Sequence, residues 1–348
     1  MRSTKTDLVA PTSEMPNRSS RRRLPVGAEV LPDGVHFRVW APLRKQVTVV
    51  FEPSAEHPNV PEPLALTSEA GGYFSGLSTT ARHGMHYRLR LDDDRRLYAD
   101  PVSRFQPDGC ASPSQIVDPG LYQWQQPDWP GISIEGQVIY ELHIGTLTEQ
   151  GTWQAAEACL PKIADLGVTV LEIMPVAEFP GHFGWGYDGV LLFAPTRLYG
   201  PPDNFRHFVD EAHRLGMGVI LDVVYNHFGP ADNYLDQFAG NFVSSRHRTD
   251  WGDAINFDGQ DCAPVREFFL ANAGYWIDEY RLDGLRLDAI QAIMDDSPLH
   301  ILVEMTRHCR KVADNRSVII TAESELQHAE LIRPEADGGS GLDAAWND

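Results

Sequence analysis

The chain has 348 residues, which is enough for two domains or for one large α/β barrel with an attachment. Its hydrophobic content of 42% is ordinary for a globular protein, so a sizeable core is available. The net charge of −20 excludes a basic nucleic-acid-binding surface as the main feature and suits a neutral or cationic partner. Because of this charge we expect no nucleic-acid partner. No apolar run approaches the roughly 20 residues that span a bilayer, so we expect no membrane partner either.

Residues 1–24 are basic and rich in Ser, Thr, Pro and Arg, and no apolar segment follows the basic positions. This composition predicts a disordered tail rather than a secretory signal. The four cysteines are widely spaced and match no metal-binding pattern. We therefore expect reduced thiols and a cytoplasmic location.

Residues 26–105 read as a series of short β-strands. Segments such as GVHFRVWAP and QVTVVFEP alternate apolar and polar residues and are separated by Pro and Gly. Strands at this spacing predict a small N-terminal β-sandwich. A connector over residues 106–137, rich in Pro, Gly and Trp in its later part, separates this domain from the remainder of the chain.

From residue 138 to residue 348, apolar strands alternate with amphipathic helices. This order predicts a parallel sheet covered on both faces and curled into an α/β barrel of the (β/α)8 TIM type. We expect Thr152 and Asn204 to cap two of the helices and Gly216 to end one, and we expect an irregular insertion over residues 228–261. The six predicted strands cover residues 138–145, 168–176, 217–227, 282–290, 317–324 and 341–348. Six strands are two fewer than a closed barrel needs, so we expect an incomplete, truncated barrel.

Three predicted strands end in polar residues of catalytic type, in the segments DVVYNH, DGLRLDAI and TAES. The C-terminal ends of barrel strands are where such folds build active sites. Asp288 and Glu323 therefore face one cavity, and two such carboxyl groups suit cleavage of a glycosidic bond.

The two carboxyl groups divide into distinct roles. Arg286 lies two residues before Asp288, so both side chains point to the same face of the strand, and the guanidinium keeps Asp288 ionised as a nucleophile requires. Burial of Glu323 after an apolar strand favours the protonated form that a proton donor requires. The alternative for Arg286 and Asp288 is an ion pair that only closes the barrel top. Asp283, at the start of the strand, is interpreted as a capping or turn residue.

The end of the third predicted strand adds further candidates. Asp222 could anchor Arg286, and His227 could bind a sugar hydroxyl or be a core histidine bonded to backbone. Asn226 is either a metal ligand or a loop brace, and we favour the brace because no carboxylate cluster is evident nearby.

The segment GHFGWGYDGV, residues 181–190, follows the second predicted strand. Its glycines predict a loop, and Trp185 and Tyr187 offer flat faces on which a sugar ring can stack. Such aromatic pairs also occur in cores. His143, after the first strand, is interpreted equally as a structural partner for this loop.

These motifs together resemble the first three signature regions of the α-amylase superfamily, glycoside hydrolase family 13. YELHIGTLT and GWGYDGVLLFAP resemble the subgroup of branching enzymes, isoamylases and trehalohydrolases, whose members carry an N-terminal sandwich similar to a carbohydrate-binding module. DVVYNHFGPADNYL, DWGDAINFDG and GLDAAWND look most like the trehalohydrolase members. The resemblance covers roughly residues 26–348.

The resemblance implies Asp288 as the nucleophile, Glu323 as the proton donor, and no metal or other cofactor. It implies cleavage of the α-1,4 bond next to the terminal trehalose of maltooligosyl trehalose, or of a related α-glucan. The candidate substrate-binding residues are Arg286, His227, Tyr187, Asp222, Trp185, Gln291 and Asp348.

Two alternatives stay open at this point. A branching enzyme uses the same acids but transfers the glycosyl group to another glucan, and a non-catalytic fragment would only bind glucan. The family's fourth region, a His-Asp pair after the seventh strand, supplies a further carboxylate. The sequence stops at Asp348, before such a pair, so we expect this chain by itself to hydrolyse its substrate poorly.

Overall fold

The structure is a computed structural model that describes residues 21–325 and 328–347. Within these ranges the chain forms antiparallel sheets followed by a parallel sheet with helices, in the predicted order. The α/β fold is that of a barrel whose described wall has six strands.

Two antiparallel sheets form the N-terminal part. Their strands alternate buried and less buried residues, as in Val47–Glu52 and His86–Leu91, because one face of each sheet packs inward. Apolar residues from both sheets, such as Phe37 and Phe51, belong to one hydrophobic cluster. The first sheet has the order Gly27–Leu31, Gly34–Trp40, Tyr73–Ser78, Thr67–Ser68, and the second has the order Leu64–Ala65, Val47–Glu52, His86–Leu91, Leu97–Tyr98.

The edges of this N-terminal part differ from the prediction. Ser114–Gln115, inside the predicted connector, pairs with strand His86–Leu91 and so extends the second sheet. Residues 1–20 of the predicted tail lie outside the described residues. The prediction of disorder is wrong for residues 21–24, because the Arg22 guanidinium donates to the carbonyl oxygens of His36 and Gly27 at 2.7 and 2.8 Å.

The parallel sheet contains its six strands in sequence order, and each neighbouring pair is parallel. Most of their residues are buried, as expected for strands covered on both faces. We number them from the first to the sixth parallel strand: Ile139–Leu142, Val170–Ile173, Gly218–Val223, Gly284–Leu287, Ile319–Glu323 and Ala344–Trp346.

The main helices lie where the periodicity predicts them, with two corrections. Thr152 caps its helix, because its hydroxyl accepts from the Ala155 N–H, but a separate second helix begins at Leu160, with Pro161 in its first turn. Asn204 is not a cap, because Pro202, whose fixed φ suits a first helical position, begins that helix two residues earlier. The helix ends before Gly216, as predicted. The helices are Ile144–Leu147, Trp153–Glu157, Leu160–Asp165, Pro202–Arg214, Leu235–Phe238, Cys262–Glu279 and Ile301–Ala313.

The insertion over residues 228–261 is more ordered than its Asn, Asp and Gly content predicts. It contains the helix Leu235–Phe238 and an antiparallel pair, Val243–Thr249 with Gly252–Ile255. Phe238 belongs to the cluster between the N-terminal sheets, and its carbonyl accepts from the Leu43 N–H at 3.4 Å. The insertion therefore packs against the N-terminal sheets. A second short pair, Ala177–Glu178 with Leu191–Pro195, encloses the glycine-rich loop.

Cys110, Cys159, Cys262 and Cys309 are free thiols, and Cys110 and Cys309 are buried. Among the described helices there is none whose length and apolar character would carry it across a bilayer.

Asp283 connects the fourth parallel strand to three other parts of the fold. Its buried carboxylate accepts from the Trp129 indole at 2.7 Å, from His213 at 2.7 Å and from the Val219 N–H at 2.8 Å. His213 also stacks on Trp129, with ring centroids 4.5 Å apart. Asp283 is therefore a buried junction, and the interpretation as a capping or turn residue is wrong.

We expect Asp283→Ala to lower the free energy of unfolding by about 3–5 kcal/mol, because it leaves several buried donors without their acceptor. Urea unfolding followed by circular dichroism measures this loss. The control is Asp253→Ala, which removes a carboxylate paired with the exposed Arg248 at 3.1 Å and should have little effect. Equal losses in the two variants would contradict the role of Asp283.

Candidate active site

The register of the parallel sheet brings the strand-end side chains together. Asp222 lies beside Arg286 on the neighbouring strand, and Arg286 lies beside Thr321, two residues before Glu323. Because alternate residues of a strand share a face, Glu323 projects to the same side as Arg286 and Asp222. The convergence at the carboxyl ends of the third to fifth strands follows from this pairing.

Arg286 lies at the centre of this group and is almost completely buried, with 2% exposure. Its Nη1 contacts the carboxylates of Asp222 at 2.8 Å and Asp288 at 2.7 Å. Its Nε lies 3.8 Å from Glu172, and its Nη2 lies 3.9 Å from Glu323. One guanidinium thus lies within 3.9 Å of four carboxyl groups.

Asp222 is the most buried of the acids at the strand ends. Burial raises its pKa well above the usual range, and Asp288 adds to the effect, while Arg286 opposes it. The Tyr187 hydroxyl donates to Asp222 Oδ2 at 2.8 Å, and burial together with Asp222 raises the pKa of Tyr187. Tyr187 therefore stays a neutral hydrogen-bond donor, and its hydroxyl proton is already committed to Asp222.

Asp288 and Glu323 are held by different contacts. Asn226 donates through Nδ2 to the carbonyl oxygen and to Oδ2 of Asp288, at 2.9 and 2.8 Å. Glu323 accepts from the Ala289 N–H at 2.7 Å. Because both carboxylates contact Arg286, they lie at most roughly 9 Å apart, and this upper bound includes the roughly 5–5.5 Å separation of retaining glycosidases. The brace interpretation of Asn226 agrees with these contacts.

His227 lies at one side of this group. Its Nδ1 contacts the Asn226 amide oxygen, and its Nε2 lies 3.1 Å from the carbonyl oxygen of Tyr187. Its ring stacks on Trp251, with centroids 5.8 Å apart and planes at 12°. Trp251, which is 52% exposed, belongs to the insertion, so the insertion contributes a wall of the site.

The loop over residues 181–190 lies beside these strand ends. Trp185 and Phe183 are exposed, at 73% and 96%, so their rings are free to contact a ligand and are not core residues. His143 Nε2 lies 3.1 Å from the Gly184 carbonyl oxygen and 2.8 Å from the Tyr199 hydroxyl. This geometry fits the structural role expected for His143.

Two further sequence candidates have different outcomes. Gln291 lies in the short helix Ile290–Ala292, directly after the Asp288 segment, and its buried Oε1 has no hydrogen-bond partner among the described residues. It stays a candidate substrate-binding residue. Asp348 lies outside the described residues.

The sequence analysis missed Glu172 and Trp251. Glu172 pairs with Ile220, two residues before Asp222, so counting alternate residues along the second and third strands would have placed it on the same face. Trp251 had no comparable signal, because its position depends on the hairpin inside the insertion.

Two groups of acidic residues and histidine have the spacing to hold a metal ion: Glu141, Glu172 and Asp222, and His247, Asp258 and Asp296. In the first group, Arg286 already contacts both Glu172 and Asp222, so a positive charge occupies the place of a cation. Arg246 contacts Asp258 and Asp296 in the second group at 3.3 Å. In both groups an arginine compensates the carboxylates.

We expect Arg286→Met to lower the free energy of unfolding by about 3–5 kcal/mol at pH 7, because it leaves buried carboxylates uncompensated. Without the guanidinium, which lowers the pKa of Asp222, the pKa of Asp222 rises further above its unfolded value. A group with a raised folded pKa stabilises the fold below its unfolded pKa and loses that contribution as pH rises.

The stability deficit of Arg286→Met should therefore shrink as pH falls from 7 to about 4. Urea unfolding of variant and parent across this range measures the difference. The matched control is Arg248→Met, because Arg248 is 84% exposed and its loss should be small at each pH. A deficit independent of pH would contradict the electrostatic account.

Several known proteins are similar to this chain. The profile of the alpha amylase catalytic domain matches residues 142–254. The malto-oligosyltrehalose trehalohydrolase of Saccharolobus solfataricus is 40% identical over 322 residues, covering 92% of this chain and 55% of that protein. A 1,4-alpha-glucan branching enzyme of Pseudoalteromonas atlantica is 29% identical, covering 93% of this chain and 50% of that enzyme.

Among solved structures, a candidate alpha amylase from Salmonella typhimurium superimposes with a TM-score of 0.84 at 40% identity. The match covers 93% of this chain and 54% of that one. The chain spans about half the length of the curated relatives it matches. These similarities show that residues 142–254 belong to an alpha amylase catalytic domain and that the chain resembles malto-oligosyltrehalose trehalohydrolases over about nine tenths of its length.

Proposed function

We propose that this protein cleaves the α-1,4 bond next to the terminal trehalose of maltooligosyl trehalose and releases trehalose. The observation that carries the proposal is the pair Asp288 and Glu323, held on one guanidinium at the ends of neighbouring parallel strands. A pair of carboxyl groups that flank the scissile bond is the chemical requirement for glycoside hydrolysis.

In the proposed mechanism Glu323 protonates the oxygen of the leaving sugar while Asp288 attacks the anomeric carbon. The glycosyl-enzyme ester then reacts with a water molecule that Glu323, now ionised, deprotonates. Asn226 and Arg286 each hold one oxygen of Asp288, and this orients the nucleophile before the substrate arrives.

The side chains around Asp288 and Glu323 are the candidates for binding the sugar. We assign a hydroxyl contact to Gln291 and stacking to the exposed rings of Trp185 and Trp251. His227 holds the Trp251 ring by stacking, because both of its ring nitrogens already contact oxygens of Asn226 and Tyr187. Asp222 has a buried Oδ1 with no hydrogen-bond partner among the described residues, so this oxygen can accept a hydrogen bond from a substrate hydroxyl. Tyr187 then supports Asp222 through its hydrogen bond.

The choice of hydrolysis over glycosyl transfer rests on the relatives. The Saccharolobus trehalohydrolase is more similar to this chain than the Pseudoalteromonas branching enzyme, at 40% against 29% identity. We further propose that residues 26–105 form a β-sandwich of the carbohydrate-binding-module type and residues 138–348 the catalytic barrel. The hydrophobic cluster shared by the two antiparallel sheets supports that division.

We expect Asp288→Asn and Glu323→Gln each to lower trehalose release by at least about 10³-fold, because each removes a group that takes part in bond cleavage. The assay measures the trehalose released from maltooligosyl trehalose. The protein is expressed from the complete reading frame that contains these 348 residues. The control, Glu211→Gln, changes an outer helical carboxylate paired with Arg214 and should keep the parent rate.

The same assay separates the proposed function from its rival. Trehalose release without new branch points supports the hydrolase, whereas α-1,6 branches formed without free trehalose would show a branching enzyme. Full activity in either strand-end variant would remove Asp288 or Glu323 from the mechanism.

A further inference from the structure

A surface cavity lies between the N-terminal sheets and the barrel, away from Asp288 and Glu323. Its volume is about 240 Å³, and strand Gly27–Leu31, residues 117–120 and the end of helix Cys262–Glu279 line it. Glu279 precedes the fourth parallel strand, whereas Asp288 follows that strand. The cavity therefore lies toward the opposite end of the parallel sheet from the candidate active site.

The inner wall of the cavity contains a buried ion pair with unused hydrogen-bonding atoms. Arg104 Nη1 contacts Glu279 Oε1 at 2.7 Å, and both side chains are only 3% exposed. Arg104 Nε and Nη2 and Glu279 Oε2 have no hydrogen-bond partner among the described residues. Buried polar atoms are costly when unpaired, so this wall is suited to a ligand that supplies both acceptors and donors.

The charges around the cavity exclude a simple anion. Three arginines line it, but so do four carboxylates: Arg21, Arg23 and Arg104, with Glu29, Asp118, Asp278 and Glu279. An anion would meet more negative than positive groups, and a cation would meet the buried guanidinium of Arg104. A neutral molecule with several hydroxyl groups satisfies both kinds of wall atom, because a hydroxyl both donates and accepts.

The rim of the cavity adds an apolar face. Trp124 lines it, and its indole is fixed by an edge contact with Tyr122, at 5.0 Å between ring centroids. An aromatic ring beside paired carboxylate and guanidinium groups offers a sugar both stacking and hydrogen bonds. The volume lies below the roughly 300–1,000 Å³ of pockets for larger ligands, which limits the occupant to one or two sugar units.

We propose that this cavity is a second, non-catalytic binding site for a neutral sugar unit, with Arg104 and Glu279 as its polar wall and Trp124 as its stacking face. The assignment rests on the chemistry of the cavity and does not depend on the reaction proposed for Asp288 and Glu323. A glucan end or a disaccharide such as trehalose can occupy this cavity while another sugar is bound at the candidate active site.

Hydrogen exchange measured by mass spectrometry, with millimolar maltose, trehalose or inorganic phosphate as separate probes, tests this site in the intact chain. We expect either disaccharide to protect residues 117–124 and 278–279, and phosphate not to. In Gly120→Trp that protection should be lost, because the new ring fills the cavity mouth. Gly120 is exposed and does not have a left-handed backbone conformation, so a side chain is tolerated there.

The matched control is Leu121→Trp, because Leu121 is 50% exposed and does not line the cavity. It should keep the protection, and all variants should keep any protection near Asp288. If Gly120→Trp unfolds, Trp124→Ala gives a second test and should weaken binding up to about 10-fold through lost stacking. Absence of protection with both disaccharides, protection by phosphate alone, or unchanged protection in Gly120→Trp would overturn the proposal.

Discussion

The structure of the candidate site depends on one guanidinium surrounded by acids. Arg286 contacts Asp222, Asp288, Glu323 and Glu172 within 3.9 Å, and it is buried. A single positive charge cannot neutralise four ionised carboxylates, so the group keeps an excess of negative charge wherever more than one of them is ionised. A glycosidic bond breaks through a sugar that carries positive charge, and a site with this excess favours that species over the neutral substrate.

The scaffold holds the fourth parallel strand at both ends. Asp283 fixes its start through Trp129, His213 and the neighbouring strand, and Asp288 at its end is held by Arg286 and Asn226. Gly284 is required between them, because a Cβ at this position would collide with the Ile319 carbonyl oxygen on the next strand. The segment DGLRLD therefore combines a buried anchor, a close strand contact and the proposed nucleophile within six residues.

The sequence was most informative where local periodicity sets the structure. Apolar strands ending in acids predicted the parallel sheet and the proximity of Asp222, Arg286, Asp288 and Glu323, because the period of a strand fixes which side chains share a face. Prediction failed where tertiary packing decides. Asp283 resembled a turn residue because its partners, Trp129 and His213, are distant in sequence. The insertion appeared irregular because its hairpin is polar, and its order comes from contacts such as Phe238 with the N-terminal sheets.

The central claim is that Asp288 is the nucleophile and Glu323 its proton donor. Mass spectrometry of the protein after reaction with a 5-fluoro glycosyl fluoride tests it most directly, because the fluoride leaves without protonation and the fluorine slows hydrolysis of the ester. In the Glu323→Gln background, we predict a stable sugar adduct on the peptide that contains Asp288. An adduct on Asp222 or another residue, or turnover of the reagent with inverted configuration and no adduct, would contradict the account.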